Sequence, residues 1–288
     1  MALIDLNFES QYLGGNTEVS IFMPDRSRAV DNKDFFQSGK KYKVLWLLHG
    51  THGDHTDWLR KSKVEVYSRE RELIVVMPSA LNSNYGDWPG FATGFDMFRM
   101  ITEELVPLVH NWLPASDKPE DNFVAGLSMG GGGALKFALN CPEIFGAGAV
   151  LSYAPMDLDS LSDEEMFTRA MGGDTARLMN GVNNAGGIQA YKDSMENSWR
   201  QVIALHEAGK LPKLYFCIGT EDFLYDYYTA FKAMCQEKNM NIKFEEEPGM
   251  GHEWRFWDPY IEKAMDFFGT EKVPHADEWR GLKGRKFL

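Results

Sequence analysis

The chain has only three cysteines, Cys141, Cys217 and Cys235, and no Cys-x-x-Cys. An odd, sparse set of this kind is not a disulfide framework and fits a reducing compartment. Long apolar runs are also missing. The longest wholly apolar stretches, such as Val44–Leu48 and Leu73–Met77, reach five residues, whereas a membrane helix needs roughly 20. Positive charge is in the minority, with 30 Lys and Arg against 42 Asp and Glu, a net charge of −12. No basic stripe appears before the last few residues. That balance argues against nucleic acid, anionic lipid or a polyanionic substrate as partner, because phosphate contacts dominate such affinity. The N-terminal stretch lacks the positive n-region and apolar h-region of a signal peptide. No repeat or low-complexity tract is visible. The expectation is a cytoplasmic protein with a small-molecule substrate, no nucleic acid and no membrane, and with a homo-oligomer left open.

Of the 288 residues, 44% are hydrophobic and 25% charged. This suits one folded unit, since α/β domains of this length are common. Leu3–Phe8 and Thr17–Phe22 alternate apolar and polar around Gly14-Gly15-Asn16, a hairpin signal. Continuous apolar runs follow at Tyr42–Leu48, Leu73–Pro78, Phe123–Leu127, Gly146–Ser152 and Leu214–Ile218. Such runs mark strands buried on both faces, hence a largely parallel sheet. Helical patterns lie between or after them at Phe95–Val106, Ala134–Cys141, Asp226–Glu237 and Trp254–Phe268. In the last, Trp257, Tyr260, Ile261, Ala264, Met265 and Phe268 share one face. The order predicts an α/β fold, a mostly parallel central sheet with helices on both faces. About sixty residues separate Gly146–Ser152 from Leu214–Ile218. Segments of this kind are often lids, and a lid insertion is expected over about 155–211. Its glycines Gly172, Gly173, Gly186 and Gly187 could serve as hinges, and Met166, Phe167, Met171 and Tyr191 could touch substrate. Residues 270–288 read as a C-terminal extension of the single domain 1–288.

Gly126-Leu-Ser128-Met-Gly130 follows an apolar strand and precedes a helical pattern, matching the G-x-S-x-G nucleophile elbow. The chain must turn sharply there, and bulk at Gly126 or Gly130 would clash. The rival readings of a glycine-rich turn fare worse. No frame fits G-x-G-x-x-G, since from Gly130 the sixth residue is Leu135, and no Gly-Lys-Ser/Thr follows for a phosphate loop. A serine nucleophile needs a base, and the base an orienting acid. On this fold the chain order is Ser, acid, His. Asp222 in Gly219-Thr-Glu-Asp-Phe-Leu follows the strand Leu214–Ile218, with Glu221 as its neighbour and rival. His252 follows the strand-like Ile242–Glu246. All three fall at the carboxyl edge of the sheet, where ligands bind. The oxyanion donors expected are the backbone N–H groups of Met129 and Thr51, the latter in the loop His49-Gly-Thr-His-Gly-Asp-His55.

That loop also offers a metal reading. His52-Gly-Asp54-His55 matches the second half of an H-x-H-x-D-H zinc motif, but the first histidine would fall at Gly50. His110, His206 and His275 add no ligand pattern, so no metal and no cofactor is expected. Asp157, Asp159 and Asp163 hint at a calcium loop, yet Leu161 and Ser162 stand where an acid and a glycine are needed. Trp58, Trp88 and Trp254 are the candidates for substrate contact, with Trp257 beside them. At least two of the four should be core residues instead. Cys217 reads as a small buried apolar residue.

Leu47-Leu-His-Gly50 with Trp58, Gly126-Leu-Ser-Met-Gly-Gly131, Gly219-Thr-Glu-Asp-Phe-Leu224 and Gly251-His-Glu-Trp-Arg-Phe-Trp257 together resemble the esterase D-like group of α/β-hydrolases. The likeness is strongest to bacterial tributyrin esterases. Acetyl and feruloyl esterases of carbohydrate esterase family 1 are related. It runs from the first strand to about Phe268. The resemblance implies a serine carboxylesterase for short acyl esters, acetyl to butyryl, or for acetylated and feruloylated sugars. An acyltransferase on the same triad, an S-formylglutathione hydrolase and a zinc-dependent hydrolase are the alternatives. The S-formylglutathione hydrolases carry a cysteine in the loop after the first oxyanion glycine. Thr51-His-Gly-Asp54 has none.

Overall fold

The computed structural model describes residues 1–26, 30–162, 165 and 175–273. Ten strands are present among them: β1 (Ala2–Ser10), β2 (Gly15–Met23), β3 (Val44–Leu48), β4 (Ile74–Pro78), β5 (Asp87–Trp88), β6 (Phe95–Asp96), β7 (Asn122–Leu127), β8 (Ala147–Leu151), β9 (Lys213–Gly219) and β10 (Ile242–Glu247). The helices are α1 (Asn32–Phe36), α2 (Asp57–Lys61), α3 (Val64–Glu70), α4 (Met97–Arg99), α5 (Val106–Trp112), α6 (Met129–Asn140), α7 (Thr175–Ala185), α8 (Ile188–Lys192), α9 (Ser198–Glu207), α10 (Tyr225–Glu237) and α11 (Trp254–Phe267).

Eight strands form one sheet in the order β1-β2-β4-β3-β7-β8-β9-β10. The β1–β2 hairpin is antiparallel, and β2 meets β4 antiparallel. From β4 to β10 every pairing is parallel. The reason lies in the side chains. Strands β3, β4, β7 and β8 are buried at every position, so both faces need a helical cover. Period-2 alternation splits β3 between them. Val44, Trp46 and Leu48 join the core under α6 and α10. Leu45 and Leu47 join the opposite core with Tyr67 of α3 and the α11 face of Trp257, Tyr260, Ile261, Ala264 and Met265.

Two helices depart from their sequence pattern. The Phe95–Val106 pattern becomes a strand pair first, with Trp88 opposite Phe95. The helix then starts at Met97 and reaches Trp112 through a π-helical turn at Met100–Leu105. Pro107 has no N–H to close an ordinary α-helical bond, and the widened turn sits just before it. Helix α6 starts at Met129 rather than near Ala134. Gly130–Gly133 are poor helix formers at about 1 kcal/mol each relative to alanine, but three of these four glycines are buried, and tertiary packing overrides propensity there.

The stretch between β8 and β9 carries α7, α8 and α9. Its own small core joins Leu158, Leu161 and Val182 with Met156, Leu178, Ile188 and Tyr191. Gly172, Gly173, Met166, Phe167 and Met171 lie outside the described residues, while Gly186 and Gly187 have φ of 92° and 122°. At the other end, the Val273 amide donates to the Glu70 carbonyl at 2.8 Å. Residues 274–288 lie outside the described part.

Candidate active site

Ser128 sits between the central strand β7 and α6 with φ 53° and ψ −121°. A serine held there stores strain of about 1–3 kcal/mol. Its surroundings impose it. The Ser128 amide donates to Leu151 of β8 at 2.8 Å, and its carbonyl accepts from Gly132 at 3.1 Å. A Cβ on Gly126 would lie 2.2 Å from the Gly130 oxygen, and one on Gly130 would lie 2.5 Å from the Leu48 oxygen. No side chain fits at either position, so the two glycines are what lets strand, turn and helix close on one another.

Asp222 and His252 come from the loops after β9 and β10. Those loops are tied by Thr220 N–H to Glu247 carbonyl at 3.0 Å and Glu221 N–H to Met250 carbonyl at 2.9 Å. The tie brings Asp222 Oδ2 to 2.8 Å from His252 Nδ1. Oδ1 accepts from the Leu224 amide at 2.9 Å. Glu221 is exposed. Burial pushes the Asp222 carboxyl up, but His252, the Leu224 amide and the Ser152 hydroxyl together outweigh it and hold it below its ordinary value. Asp222 is therefore a carboxylate, and His252 Nδ1–H donates to it. The imidazole also meets two aromatic rings, Trp257 edge-on at 5.0 Å and Phe223 at 4.6 Å.

Ser152 was not among the residues singled out from sequence. It follows β8 directly, with φ 50°, and is fully buried. It accepts from Trp257 Nε1 at 2.9 Å and bonds to Asp222. A serine after an apolar strand carries no signal that could have found it.

The loop after β3 is braced from three sides. Trp58 Nε1 donates to the Leu48 carbonyl at 3.0 Å and Tyr85 Oη to the His49 carbonyl at 3.0 Å. The third brace is His49 itself. Its Nε2 lies 2.9 Å from the Ala80 amide, which can only donate, so Nε2 accepts. Its Nδ1 therefore carries the hydrogen and donates to the Gly50 carbonyl at 2.7 Å. Burial lowers the His49 pKa and keeps the ring neutral. The Gly50 carbonyl also accepts from Gly53 N–H at 3.1 Å. A planar peptide points its N–H opposite its carbonyl, so these bonds fix the direction of the Thr51 N–H. A Cβ on Gly50 would lie 3.5 Å from Ser128 Cβ, which puts this peptide beside the elbow.

A cavity of about 620 Å³ is lined by Ser128, His252, Thr51 and Met129 together. Met156, Leu158, Leu178 and Tyr191 from the stretch between β8 and β9 line it too. Of the tryptophans proposed from sequence, Trp254 lines the cavity, as does Trp257. Trp58 is 1% exposed and packs beneath, edge-on to Trp254 at 5.0 Å. Trp88 donates to the Ser83 carbonyl at 2.7 Å and is not part of the lining. Each of these two rings spends its N–H on a backbone carbonyl, and neither lines the cavity.

The histidines of the zinc reading diverge. His52 lines the cavity and takes Asn82 as partner. His55 bonds to Ser20 Oγ at 2.8 Å and faces Glu18. Asp54 accepts from Thr56. Asp159 is paired with Arg200, and Asp163 lies outside the described residues. Among the described residues no group of three or more His, Cys, Asp or Glu could hold a metal.

A strained serine at the carboxyl end of a central parallel strand, on this sheet order, defines an α/β-hydrolase. The family model described as "Putative esterase" matches residues 10–267, and the chain belongs to that family. It is a carboxylic ester hydrolase. An acetyl esterase of Caldicellulosiruptor saccharolyticus is 28% identical over 277 residues, covering 93% of this chain and 98% of the relative. Two solved structures from Staphylococcus aureus are similar. One is a fluorophosphonate-binding serine hydrolase, 27% identical with a TM-score of 0.75, covering 94% of this chain and 99% of that one. The other is an S-formylglutathione hydrolase, 29% identical with a TM-score of 0.74, covering 93% and 98%. No helix among the described residues is long and apolar enough to cross a membrane.

Proposed function

We propose that this chain is a serine carboxylesterase for short acyl esters, with Ser128, His252 and Asp222 as its triad. The observation that carries the reading is the Asp222–His252 pair, bonded at 2.8 Å, whose His252 lines the same cavity as the strained Ser128. His252 Nε2 takes the Ser128 proton as Oγ attacks the ester carbonyl. The carbonyl π electrons move to oxygen, and the Thr51 and Met129 N–H groups receive that oxyanion. Each such donor is worth roughly 2.7–4 kcal/mol in the transition state. The C–O bond to the alcohol breaks as imidazolium returns the proton to the leaving oxygen. Water, deprotonated by His252, then hydrolyses the acyl-enzyme and regenerates Ser128. Asp222 holds the Nδ1–H tautomer and stabilises the imidazolium throughout.

Acetyl to butyryl esters, including acetylated or feruloylated sugars, are the proposed substrates. Support comes from the acetyl esterase relative and from a cavity large enough for more than the acyl group. In the test, a fluorophosphonate probe labels the wild type at Ser128. Ser128→Ala is not labelled and loses at least about 10³-fold in turnover on acetyl and butyryl esters while staying folded. Turnover near wild type in that variant, or activity restored by metal after chelation, overturns the assignment. A second reading, S-formylglutathione hydrolysis, draws on the 29% identical structure. A kcat/KM for that thioester well above those for oxyesters would favour it. Transfer to added alcohol in place of hydrolysis would mark an acyltransferase.

A further inference from the structure

Helix α6 lends the cavity one continuous face. Met129, Gly132 and Lys136 all line it, spaced three and four residues apart. Lys136 comes eight residues after Ser128, so the two backbone positions stand about 12 Å apart along the helix axis. Midway, Gly132 leaves room beside the Tyr153 ring, where a Cβ would come within 3.0 Å.

Lys136 is unusual for a wall residue. It is 3% exposed. Its Nζ donates to the Asn84 carbonyl at 3.0 Å and pairs with the Glu196 carboxylate, which comes from the stretch between β8 and β9. An ammonium has three hydrogens to donate, and these two bonds use two. Buried Ser198 lines the same cavity. An ion pair between a buried lysine and a half-buried glutamate contributes little net stability compared with apolar packing of the same shape, so stability alone does not account for one at the end of a substrate cavity.

We propose that Lys136 and Glu196 form a distal subsite for a neutral hydroxyl on the substrate, one helix face away from the ester. The hydroxyl oxygen accepts from Lys136 Nζ, and its hydrogen goes to the Glu196 carboxylate. A carboxylate there would meet Glu196 and be repelled, so an anionic group is not the ligand. The substrate class is an ester with a hydroxyl about 10–12 Å from the carbonyl carbon. The proposal rests on Ser128 being the nucleophile.

The test compares matched esters in both arms. The first pair is p-nitrophenyl ω-hydroxyoctanoate and octanoate. The second is the monoacetate of octanediol and octyl acetate. Wild-type kcat/KM favours the hydroxylated member of one pair by about tenfold or more, because a site built for a hydroxyl rejects the analogue that lacks it. Lys136→Met brings that ratio near one, and Lys136→Arg restores part of it. Should Lys136→Met fail to fold, as read by circular dichroism and fluorophosphonate labelling, Glu196→Gln must lower the ratio. A wild-type ratio near one in both pairs overturns the subsite. So does a ratio that survives Lys136→Met or Glu196→Gln with equal loss on both members. Failure of the nucleophile assignment looks different, because Ser128→Ala would then keep hydrolysing both members.

Discussion

Trp257 Nε1 donates to Ser152 Oγ at 2.9 Å. An indole nitrogen can only donate, so the Ser152 oxygen accepts there and its own hydrogen is turned toward Asp222. The serine thus adds a third donor to a carboxylate already held by the Leu224 amide and His252 Nδ1–H. Donation converges on Asp222, from Trp257 through Ser152 on one side and from His252 Nδ1–H on the other.

Ser152→Ala removes that donor. The Asp222 charge is then less satisfied and attracts a proton on His252 more strongly. The acid limb of the kcat/KM profile is expected to move up by ~0.5–1 pH unit, with a drop in kcat of about tenfold. Trp257→Phe leaves the Ser152 hydrogen available, so its limb moves less. An unchanged limb in Ser152→Ala would show that the serine only fills space.

Asp222→Asn keeps the shape but favours the wrong imidazole tautomer. Turnover should fall at least about 10³-fold with folding intact. Exposed Glu221, changed to Gln, should leave kcat within about twofold. The reverse pattern would reassign the acid. Against the upward push of burial, the Asp222 carboxyl is held below its ordinary value by His252, the Leu224 amide and Ser152, so the carboxylate that orients the base persists into mildly acidic solution.

His49 is neutral in the fold, with its pKa lowered first by burial. The unfolded chain binds a proton on this ring at a pH where the native state does not. Its contribution is complete above the ordinary imidazole range and is lost as pH falls below it. The unfolding midpoint of the wild type should therefore drop more between about pH 7 and pH 5 than that of His49→Asn. The variant should be less stable at neutral pH by roughly 1–3 kcal/mol, since Ala80 N–H loses its acceptor. Its kcat should fall more than its KM rises. Identical pH slopes in thermal melts would remove His49 from this role.

The stretch between β8 and β9 supplies Met156, Leu158, Leu178 and Tyr191 to the cavity. We expect it to act as a lid that sets acyl and alcohol preference. Leu178→Ala or Tyr191→Ala should change the relative kcat/KM among acetyl, butyryl and feruloyl esters by several-fold, without equal loss on all. A uniform drop across the panel, or none, would leave the segment a support for the fold.

The parallel strands were legible in the sequence because burial on both faces writes continuous apolar runs, and β3, β4, β7, β8 and β9 stand where those runs stand. The elbow was legible because a turn that tight leaves glycine no substitute at two positions. Asp222 and His252 followed from chain order and strand ends. Ser152, His49 as a brace and Lys136 were not legible. Each acts through a hydrogen bond to a partner distant in the chain, and no spacing records that. Trp58 and Trp88 show the opposite difficulty. A tryptophan motif near a site looks the same whether its ring faces substrate or, as here, spends its N–H on a loop carbonyl.

The three cysteines are all buried, and burial pushes Cys141 and Cys235 up to about 12 and Cys217 well above its ordinary value. Alkylating reagents act on thiolates, so the native chain is nearly silent to maleimide. A single cysteine placed at exposed Phe36 or Trp112, both outside the cavity lining, would then be the one thiol to react. The wild-type background thus serves as its own cysteine-free scaffold for attaching a spectroscopic reporter, with no need to remove the native thiols first.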